Sequence, residues 1–173
     1  MQEEQVILVD KNDNPLGTMP KMEAHQKGKL HRAFSVFIYN NNNELLLQQR
    51  AAEKYHSPLL WTNSCCSHQR MGETNVEAGK RRLQEEMGFT TDLKEITSFI
   101  YKAEFDNDLT EHEYDHILEG YYNENPEINP AEVADFKWMP IEEVKDNIAR
   151  EPDKYTAWFK IIFDKYYHHI QKK

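Results

Sequence analysis

Residues 61–89 read WTNSCCSHQRMGETNVEAGKRRLQEEMGF, and the rest of the chain is most easily interpreted from this stretch. Its second half carries Glu73, Glu85 and Glu86 on a predicted helix and on the loop that enters it. In proteins, Mg²⁺ is bound by one or two carboxylates together with substrate phosphates. The same glutamates could instead form surface ion pairs with arginines one helical turn away. A metal-assisted phosphate site and a solvated helix are both open at this point.

Length and composition restrict the class of protein. The 173 residues suffice for one domain with a hydrophobic core and are too few for two comfortable ones. The net charge of -9 argues against a nucleic-acid-binding surface. The cysteines, Cys65 and Cys66, are adjacent and cannot link distant segments, which favours reduced thiols and a cytoplasmic location. We find no signal peptide and no apolar run near the roughly 18 residues of a membrane span, so we expect no membrane contact. For the assembly we expect a monomer or weak dimer.

The hydrophobic pattern predicts strands first, one central helix, and helices at the end. Four consecutive asparagines, residues 40–43, indicate a hairpin between two β-rich runs. Thr74 or Asn75 can cap the central helix, and Gly88 ends it. A helical pattern starts at Ile141, breaks at Pro152 and resumes over residues 155–170. Further strands are predicted at Gln5–Val9 and at residues 33–39, 44–49, 59–66, 96–105, 112–122 and 136–139. This order predicts an α+β fold with layered helices and sheet.

A set of histidines and glutamates offers a second candidate site. Glu111 and Glu113 are two residues apart on a predicted strand, so both carboxylates project to the same face. Together with His25, His31 and His68 they make a mixed nitrogen and oxygen donor set that suits zinc, manganese or magnesium. Because the chain has eight histidines, spacing alone leaves the alternative of ordinary surface histidines open.

The second half of the quoted stretch resembles the Nudix box, a loop–helix–loop that holds magnesium against a diphosphate. The matching frame runs over residues 67–89, with Ser67 in place of the first glycine and Arg82 in place of one glutamate. The positions in register are Glu73, Arg81, Glu85, Glu86 and Gly88. The resemblance implies a Nudix-type αβα layered fold with a central mixed sheet, as a single domain over residues 1–173. Arg82 removes one metal ligand and adds a cation that could hold phosphate oxygens.

The first half of the stretch resembles type 1 isopentenyl-diphosphate isomerases. The family motif Trp-Thr-Asn-Ser-any-Cys-Gly-His matches residues 61–68, with Ser67 for glycine, and the similarity spans residues 21–158. It implies interconversion of isopentenyl and dimethylallyl diphosphate in isoprenoid biosynthesis, by removing a proton from one carbon and adding one to another. A Nudix hydrolase of a diphosphate-linked substrate and a non-catalytic diphosphate-binding module are the alternatives. Arg82 in the box and the Cys66–His68 pair disfavour the hydrolase. The binding module is disfavoured because every candidate catalytic position holds a competent residue.

The resemblance also assigns functions to individual residues. One divalent metal, Mn²⁺, Mg²⁺ or Zn²⁺, is expected on His25, His31, His68, Glu111 and Glu113, and Mg²⁺ with the substrate diphosphate on Glu86. Cys66 and Glu113 are the expected proton-transfer groups, with Tyr101 supporting the glutamate. Because protonation of an alkene gives a carbocation, aromatic faces are also needed. The expected substrate-binding residues are Lys21, Arg50, Lys54 and Arg82 for the diphosphate and Trp61 and Trp158 for the cation. The remaining histidines, including His56, are expected at the surface or in packing.

Overall fold

In this computed structural model, which describes residues 4–54, 56–105 and 108–171, helices cover both faces of one mixed sheet. The strands are β1 (Gln5–Val9), β2 (Pro15–Pro20), β3 (His31–Tyr39), β4 (Glu44–Arg50), β5 (Trp61–Thr62), β6 (Cys65–Ser67), β7 (Lys94–Phe105), β8 (Leu109–Tyr121) and β9 (Val133–Pro140). The helices are α1 (Lys21–Lys27), α2 (Asn75–Met87), α3 (Ile141–Arg150) and α4 (Ala157–Gln171), with a short 3₁₀ turn at Pro152–Lys154.

Strand β3 is the centre of the sheet. It pairs antiparallel with β1, β4 and β6, and parallel with β8 from His31 opposite Glu113 to Tyr39 opposite Tyr121. Strand β7 pairs antiparallel with β8, and β9 with β4. A central strand is covered on both faces, which explains why six consecutive residues, 33–38, are buried.

Two hydrophobic clusters lie on opposite faces of this sheet. Phe37 of β3 packs with Phe159 and Ile162 of α4 on one face. Val36, the residue before it, packs with Leu83 of α2 on the other, because successive side chains alternate along a strand. The α+β, αβα layered fold with a mixed sheet is therefore confirmed. In the part of the chain that the structure describes, no helix is long and apolar enough to cross a membrane.

Helix α2 is bounded by the residues that its sequence indicated. Thr74, rather than Asn75, is the cap: its side chain accepts from the Glu77 amide while the Glu77 side chain accepts from the Thr74 amide. Gly88 ends the helix in the left-handed conformation, with φ 72°, which a side chain would disfavour.

Helix α1 and strand β2 were missed by the sequence analysis. The seven residues of α1 have no apolar stripe, and the helix is held by packing against β8 and β2, which bury Ala24 and His25. Strand β2 begins with Pro15 and contains Gly17, residues typical of turns, and it forms by pairing with β1. The single extended segment expected over residues 59–66 is divided into β5 and β6. In each case long-range contacts override the local pattern.

Replacing Gly88 with alanine should destabilise the fold more than the same change at Gly72. Both glycines have positive φ, 72° and 90°. A Cβ at Gly88 would collide with the Glu127 backbone, whereas one at Gly72 meets nothing within 4 Å. We expect Gly88→Ala to lower the free energy of unfolding by about 2–3 kcal/mol and Gly72→Ala by about 1 kcal/mol, measured by urea denaturation. Equal losses would mean that backbone strain alone requires glycine at position 88.

Candidate metal centre and active site

Five buried side chains converge on one point: His25, His31, His68, Glu111 and Glu113. One ligand atom from each lies within 4.8 Å of those of the other four. They come from α1, the start of β3, the residue after β6, and two positions of β8. The structure thus brings together the five residues that the sequence analysis grouped.

Strand register explains the convergence. Glu111 and Glu113 are both buried while His112 between them is half-buried, so the two carboxylates share one face of β8 as expected. Parallel pairing sets His31 opposite Glu113, and antiparallel pairing with β7 sets Tyr101 opposite the same residue. Helix α1 lies against β8 and adds His25.

The carboxylate of Glu113 is the centre of this group. Its Oε2 lies 3.2 Å from His31 Nε2 and 3.0 Å from His68 Nε2, and its Oε1 accepts a 2.5 Å hydrogen bond from the Tyr101 hydroxyl. The other ring nitrogen of His31, Nδ1, lies 2.9 Å from the carbonyl oxygen of Lys29. A hydrogen on Nδ1 satisfies that carbonyl, so loss of the proton that Nε2 shares with Glu113 would leave a lone pair directed into the site, the tautomer that a metal ligand needs.

Burial and neighbours separate the pKa values of the two glutamates. Burial, followed by the charge of Glu113, raises the pKa of Glu111. Burial opposes ionisation of Glu113 as well, but hydrogen bonds from Glu111 and His31 outweigh it and lower its pKa. Burial and the charge of His31 lower the pKa of His68, so its ring is neutral. The site therefore holds a carboxylate and a neutral imidazole, both of which can coordinate a metal.

The donor set fits a divalent cation. In the described residues, both ring nitrogens of His25 and Nδ1 of His68 are buried without a hydrogen-bond partner. Buried polar atoms without partners are costly, and a cluster of them is explained by a ligand that they bind. Three imidazoles with two carboxylates suit several divalent metals. These five residues could hold one such ion.

A cavity of about 140 Å³ opens beside this centre. Its lining includes most residues singled out in the sequence: Lys21, His25, Arg50, Lys54, Cys66, His68, Arg82, Glu86, Tyr101, Glu111, Glu113 and Trp158. His31, the remaining member of the group of five, is fully buried and does not line the cavity. The lining therefore combines the candidate metal centre, four cationic side chains and one thiol.

Cys66 and Cys65 differ as alternation along β6 requires. Cys65 is fully buried in the cluster against α2, whereas Cys66 is half-buried and lines the cavity. The Cys66 Sγ lies 2.8 Å from Asn63 Oδ1 and 3.7 Å from Ser35 Oγ. Burial, followed by the charge of Asp115, raises the pKa of Cys66, so the sulfur carries its proton.

The box glutamates do not act as one group. Only Glu86 lines the cavity, where its carboxylate accepts from Gln48 at 3.0 Å and from Arg82 at 2.6 Å. Glu73 pairs with Arg81 at 2.7 Å, away from the cavity. Arg82, in the place of a box glutamate, is thus bound to the nearest remaining one.

One aromatic prediction is not supported, and one residue was overlooked. Thr62 lines the cavity, but Trp61, its neighbour on β5, is not among the lining residues. Trp61 packs against the cluster that contains Trp158, with Lys137 Nζ 4.2 Å from its ring centroid. Trp158 does line the cavity, with Arg50 5.0 Å from its ring. His56, expected at the surface or in packing, also lines it and stacks on Phe105.

Three polar cavity residues were also missed: Glu4, Gln48 and Glu132. Glu132 pairs with Lys54 and, at 3.3 Å, with Arg82. Burial, followed by the charge of Arg50, lowers the pKa of His56 to about 3. None of these residues stands in a motif, so only their position beside the matched residues reveals them.

Comparison with known proteins agrees with the layered fold and with the resemblance to the Nudix box. The NUDIX domain profile matches residues 29–159. Among solved structures, a protein of Deinococcus radiodurans has a TM-score of 0.77 at 19% identity, covering 94% of this chain and 98% of that one. The MutT protein of Methanosarcina mazei has a TM-score of 0.67 at 19% identity, covering 83% of this chain and 96% of that one. The fold and the box thus define a NUDIX domain protein.

Curated relatives narrow the family further. An isopentenyl-diphosphate Delta-isomerase 2 of Photorhabdus laumondii is 52% identical over 162 residues, 94% of this chain and 92% of its own length. An isopentenyl-diphosphate Delta-isomerase of Serratia proteamaculans is 49% identical over 160 residues, covering 92% and 89%. This chain belongs to the isopentenyl-diphosphate Delta-isomerase family.

His25→Ala should lower metal content, whereas His112→Ala should not. His25 belongs to the cluster, and in the described residues both of its ring nitrogens are buried without a hydrogen bond. His112 lies on the opposite face of β8, and its Nδ1 is 3.2 Å from the Gly28 carbonyl oxygen. We expect at least about a tenfold loss of metal affinity for His25→Ala, measured by elemental analysis after dialysis against graded chelator. Equal metal content in the two variants would exclude His25 as a ligand.

Proposed function

We propose that this chain is an isopentenyl-diphosphate Delta-isomerase that interconverts isopentenyl and dimethylallyl diphosphate in isoprenoid biosynthesis. The observation that carries the proposal is one cavity lined by a thiol, a hydrogen-bonded glutamate, a candidate metal centre and four cationic side chains. The relatives whose names give this activity align over nearly the whole chain.

The cationic side of the cavity would bind the diphosphate. Lys21, Arg50, Lys54 and Arg82 supply positive charge in a protein whose net charge is -9. Arg82 and Lys54 now pair with Glu86 and Glu132, so their charges are held in place on the cavity wall. Guanidinium groups hold phosphate oxygens through paired N–H donors, which suits Arg50 and Arg82 to this function.

The hydrocarbon end would meet the proton-transfer groups. Adding a proton to the terminal methylene of the alkene makes a tertiary carbocation, and removing a proton from the carbon on its other side forms the new double bond. One proton enters and one leaves, so two groups are needed, and Cys66 and Glu113 are our assignments. Tyr101 orients Glu113 through its 2.5 Å hydrogen bond. The ring of Trp158 would stabilise the cation, by roughly 2 kcal/mol in a desolvated site.

The metal requirement follows from the donor groups. The five clustered residues would hold one divalent ion, Mn²⁺, Mg²⁺ or Zn²⁺, and Glu86 would hold Mg²⁺ that arrives with the diphosphate. Such ions supply positive charge that keeps Glu111 and Glu113 ionised and offsets the charge of the diphosphate. The Tyr101 hydroxyl is hydrogen-bonded to Glu113 and fixes the orientation of that ligand. The backbone carbonyl of Lys29 does the same for His31 through its Nδ1.

A hydrolase is the weaker alternative for this site. Nudix hydrolysis uses a set of box carboxylates to bind metal and orient water, but Glu73 and Glu85 lie outside this cavity, each paired with Arg81. Hydrolysis also has no need of the Cys66 thiol. A module that only binds diphosphate would not need the Tyr101–Glu113 pair.

Two free cysteines support a cytoplasmic location, and the negative charge supports the expectation that no nucleic acid binds. A monomer or weak dimer stays our prediction for the assembly.

The wild type and two cysteine variants test the function. Given isopentenyl diphosphate and Mg²⁺ or Mn²⁺, the wild type should form an acid-labile allylic product without releasing phosphate. Cys66→Ala should lose turnover by about 10²-fold or more and keep diphosphate affinity, because the thiol acts only in proton transfer. Cys65→Ala, in the buried cluster, should keep turnover. Phosphate release would support hydrolysis instead, and reversed cysteine phenotypes would assign the chemistry to Cys65.

Glu113→Gln and Glu111→Gln should separate catalyst from ligand. Both changes keep an oxygen donor, but an amide neither gives nor takes the required proton. We expect Glu113→Gln to lose turnover by about 10²–10⁴-fold at every metal concentration. Glu111→Gln should recover part of its activity at high metal concentration. Titrating activity with Mn²⁺ for both variants makes the comparison, and near-complete rescue of Glu113→Gln would leave it as a ligand alone.

A further inference from the structure

The strongest unexplained feature of the molecule is a buried polar pair behind the Cys66 thiol. Ser35 and Asp115 lie at 1% and 0% exposure, and neither lines the cavity. We propose, on the basis of the isomerase function above, that the two act as positioning residues: Asp115 orients the Ser35 hydroxyl, which holds the Cys66 thiol in its reactive orientation.

Strand pairing places Ser35 directly against the thiol. Ser35 and Cys66 are opposite each other in the antiparallel pairing of β3 and β6. Directly opposed residues have Cβ atoms about 4.5–5.5 Å apart and side chains on the same face of the sheet. The Sγ–Oγ distance of 3.7 Å is within reach of a hydrogen bond from the thiol.

Asp115 determines which way the Ser35 hydroxyl points. Ser35 Oγ donates its one hydrogen to Asp115 Oδ2 at 2.8 Å. The same oxygen can then only accept, and the donor beside it is the Cys66 thiol. Without Asp115, the hydroxyl could turn its hydrogen toward the sulfur and compete with substrate for it.

Asn63 completes the setting of the thiol. Its Nδ2 donates to the carbonyls of Val36 and Cys65 at 2.9 and 3.0 Å, which turns Oδ1 toward Cys66 at 2.8 Å. The thiol thus lies between two oxygens, Asn63 Oδ1 and Ser35 Oγ, that are both fixed as acceptors. The thiol has one hydrogen, which either oxygen can accept, and the sulfur is held between them.

Stability does not account for the pair. Asp115 Oδ1 has no hydrogen-bond partner in the described residues, so the carboxyl is buried and only partly satisfied. A partly satisfied buried polar network is less favourable than apolar packing, and Ser35 interrupts an otherwise apolar run of β3, residues 33–38. Asp115 contributes instead through the series of hydrogen bonds that runs by way of Ser35 to the Cys66 thiol.

Steady-state kinetics on metal-loaded enzyme with isopentenyl diphosphate test the inference. We expect Ser35→Ala and Asp115→Leu each to lower kcat by roughly ten- to a hundredfold, since small misplacement of a reacting group costs this much. KM should stay unchanged, because neither residue lines the cavity. Asp115→Asn, whose amide oxygen can still accept a hydrogen bond from Ser35, should keep most of the wild-type kcat that Asp115→Leu loses. The double variant Ser35→Ala/Asp115→Leu should be no slower than the slower single variant.

Ser64→Ala is the matched control. Ser64 is as buried as Ser35, but its hydroxyl binds only backbone, donating to Leu46 O and accepting from Ile38 N. It should lose stability and keep kcat. The inference is overturned if Ser35→Ala keeps wild-type kcat, if Ser64→Ala loses as much, or if the double variant multiplies the two losses.

Three further outcomes of these experiments have their own consequences. If Ser35→Ala fails to fold, the Asp115→Asn and Asp115→Leu pair carries the test with Ser35 intact, and equal kcat values for the two overturn the inference. Metal content, measured for every variant, must equal that of wild type, because a kcat loss that follows metal loss overturns the positioning assignment in favour of a ligand effect. Absence of isomerisation by the wild type overturns the proposed function itself, whereas failure confined to the variants leaves that function standing.

Discussion

The parallel pairing of β3 with β8 is the constraint on which the site depends. It sets His31 opposite Glu113, residues 82 positions apart, and makes both strands the buried centre of the sheet. The other members of the site take their places from these strands: Tyr101 through β7, Cys66 and His68 through β6, and His25 through α1 against β8. One register thus determines the geometry of the candidate metal centre and of the thiol. A shift of β3 against β8 by a single residue would turn His31 to the face opposite Glu113.

Burying so many ionisable groups is unfavourable unless each is paired. Glu113 is stabilised by hydrogen bonds from Glu111, His31 and Tyr101, which outweigh its desolvation. Within the part of the chain that the structure describes, His25 and His68 keep unpartnered nitrogens, and Asp115 keeps an unpartnered oxygen. These orphaned atoms are the structural mark of a site selected for binding and chemistry at a cost in stability.

The cavity also explains how an acidic protein can bind a diphosphate. The net charge is -9, but four cationic side chains, Lys21, Arg50, Lys54 and Arg82, line the cavity. Glu86 and Glu132 pair with Arg82, and Glu132 also pairs with Lys54, so that the carboxylates hold these cations in place before any anion arrives. Local fields at short range matter more to a ligand than the overall charge, which salt screens within about 10 Å.

The sequence by itself determined the local features: helix α2 with its start at Thr74 or Asn75 and its Gly88 stop, the shared face of Glu111 and Glu113, and the family to which the chain belongs. Turn, cap and alternation signals are properties of neighbouring residues, so they can be predicted without knowing the fold. Only the tertiary structure decided that Trp158 and His56, and not Trp61, line the cavity, and that Glu132 pairs with Arg82. It also decided that Ser35 and Asp115 stand behind Cys66. These outcomes depend on which strands pair and in which register, and pairing between distant segments leaves no periodic signal in the chain.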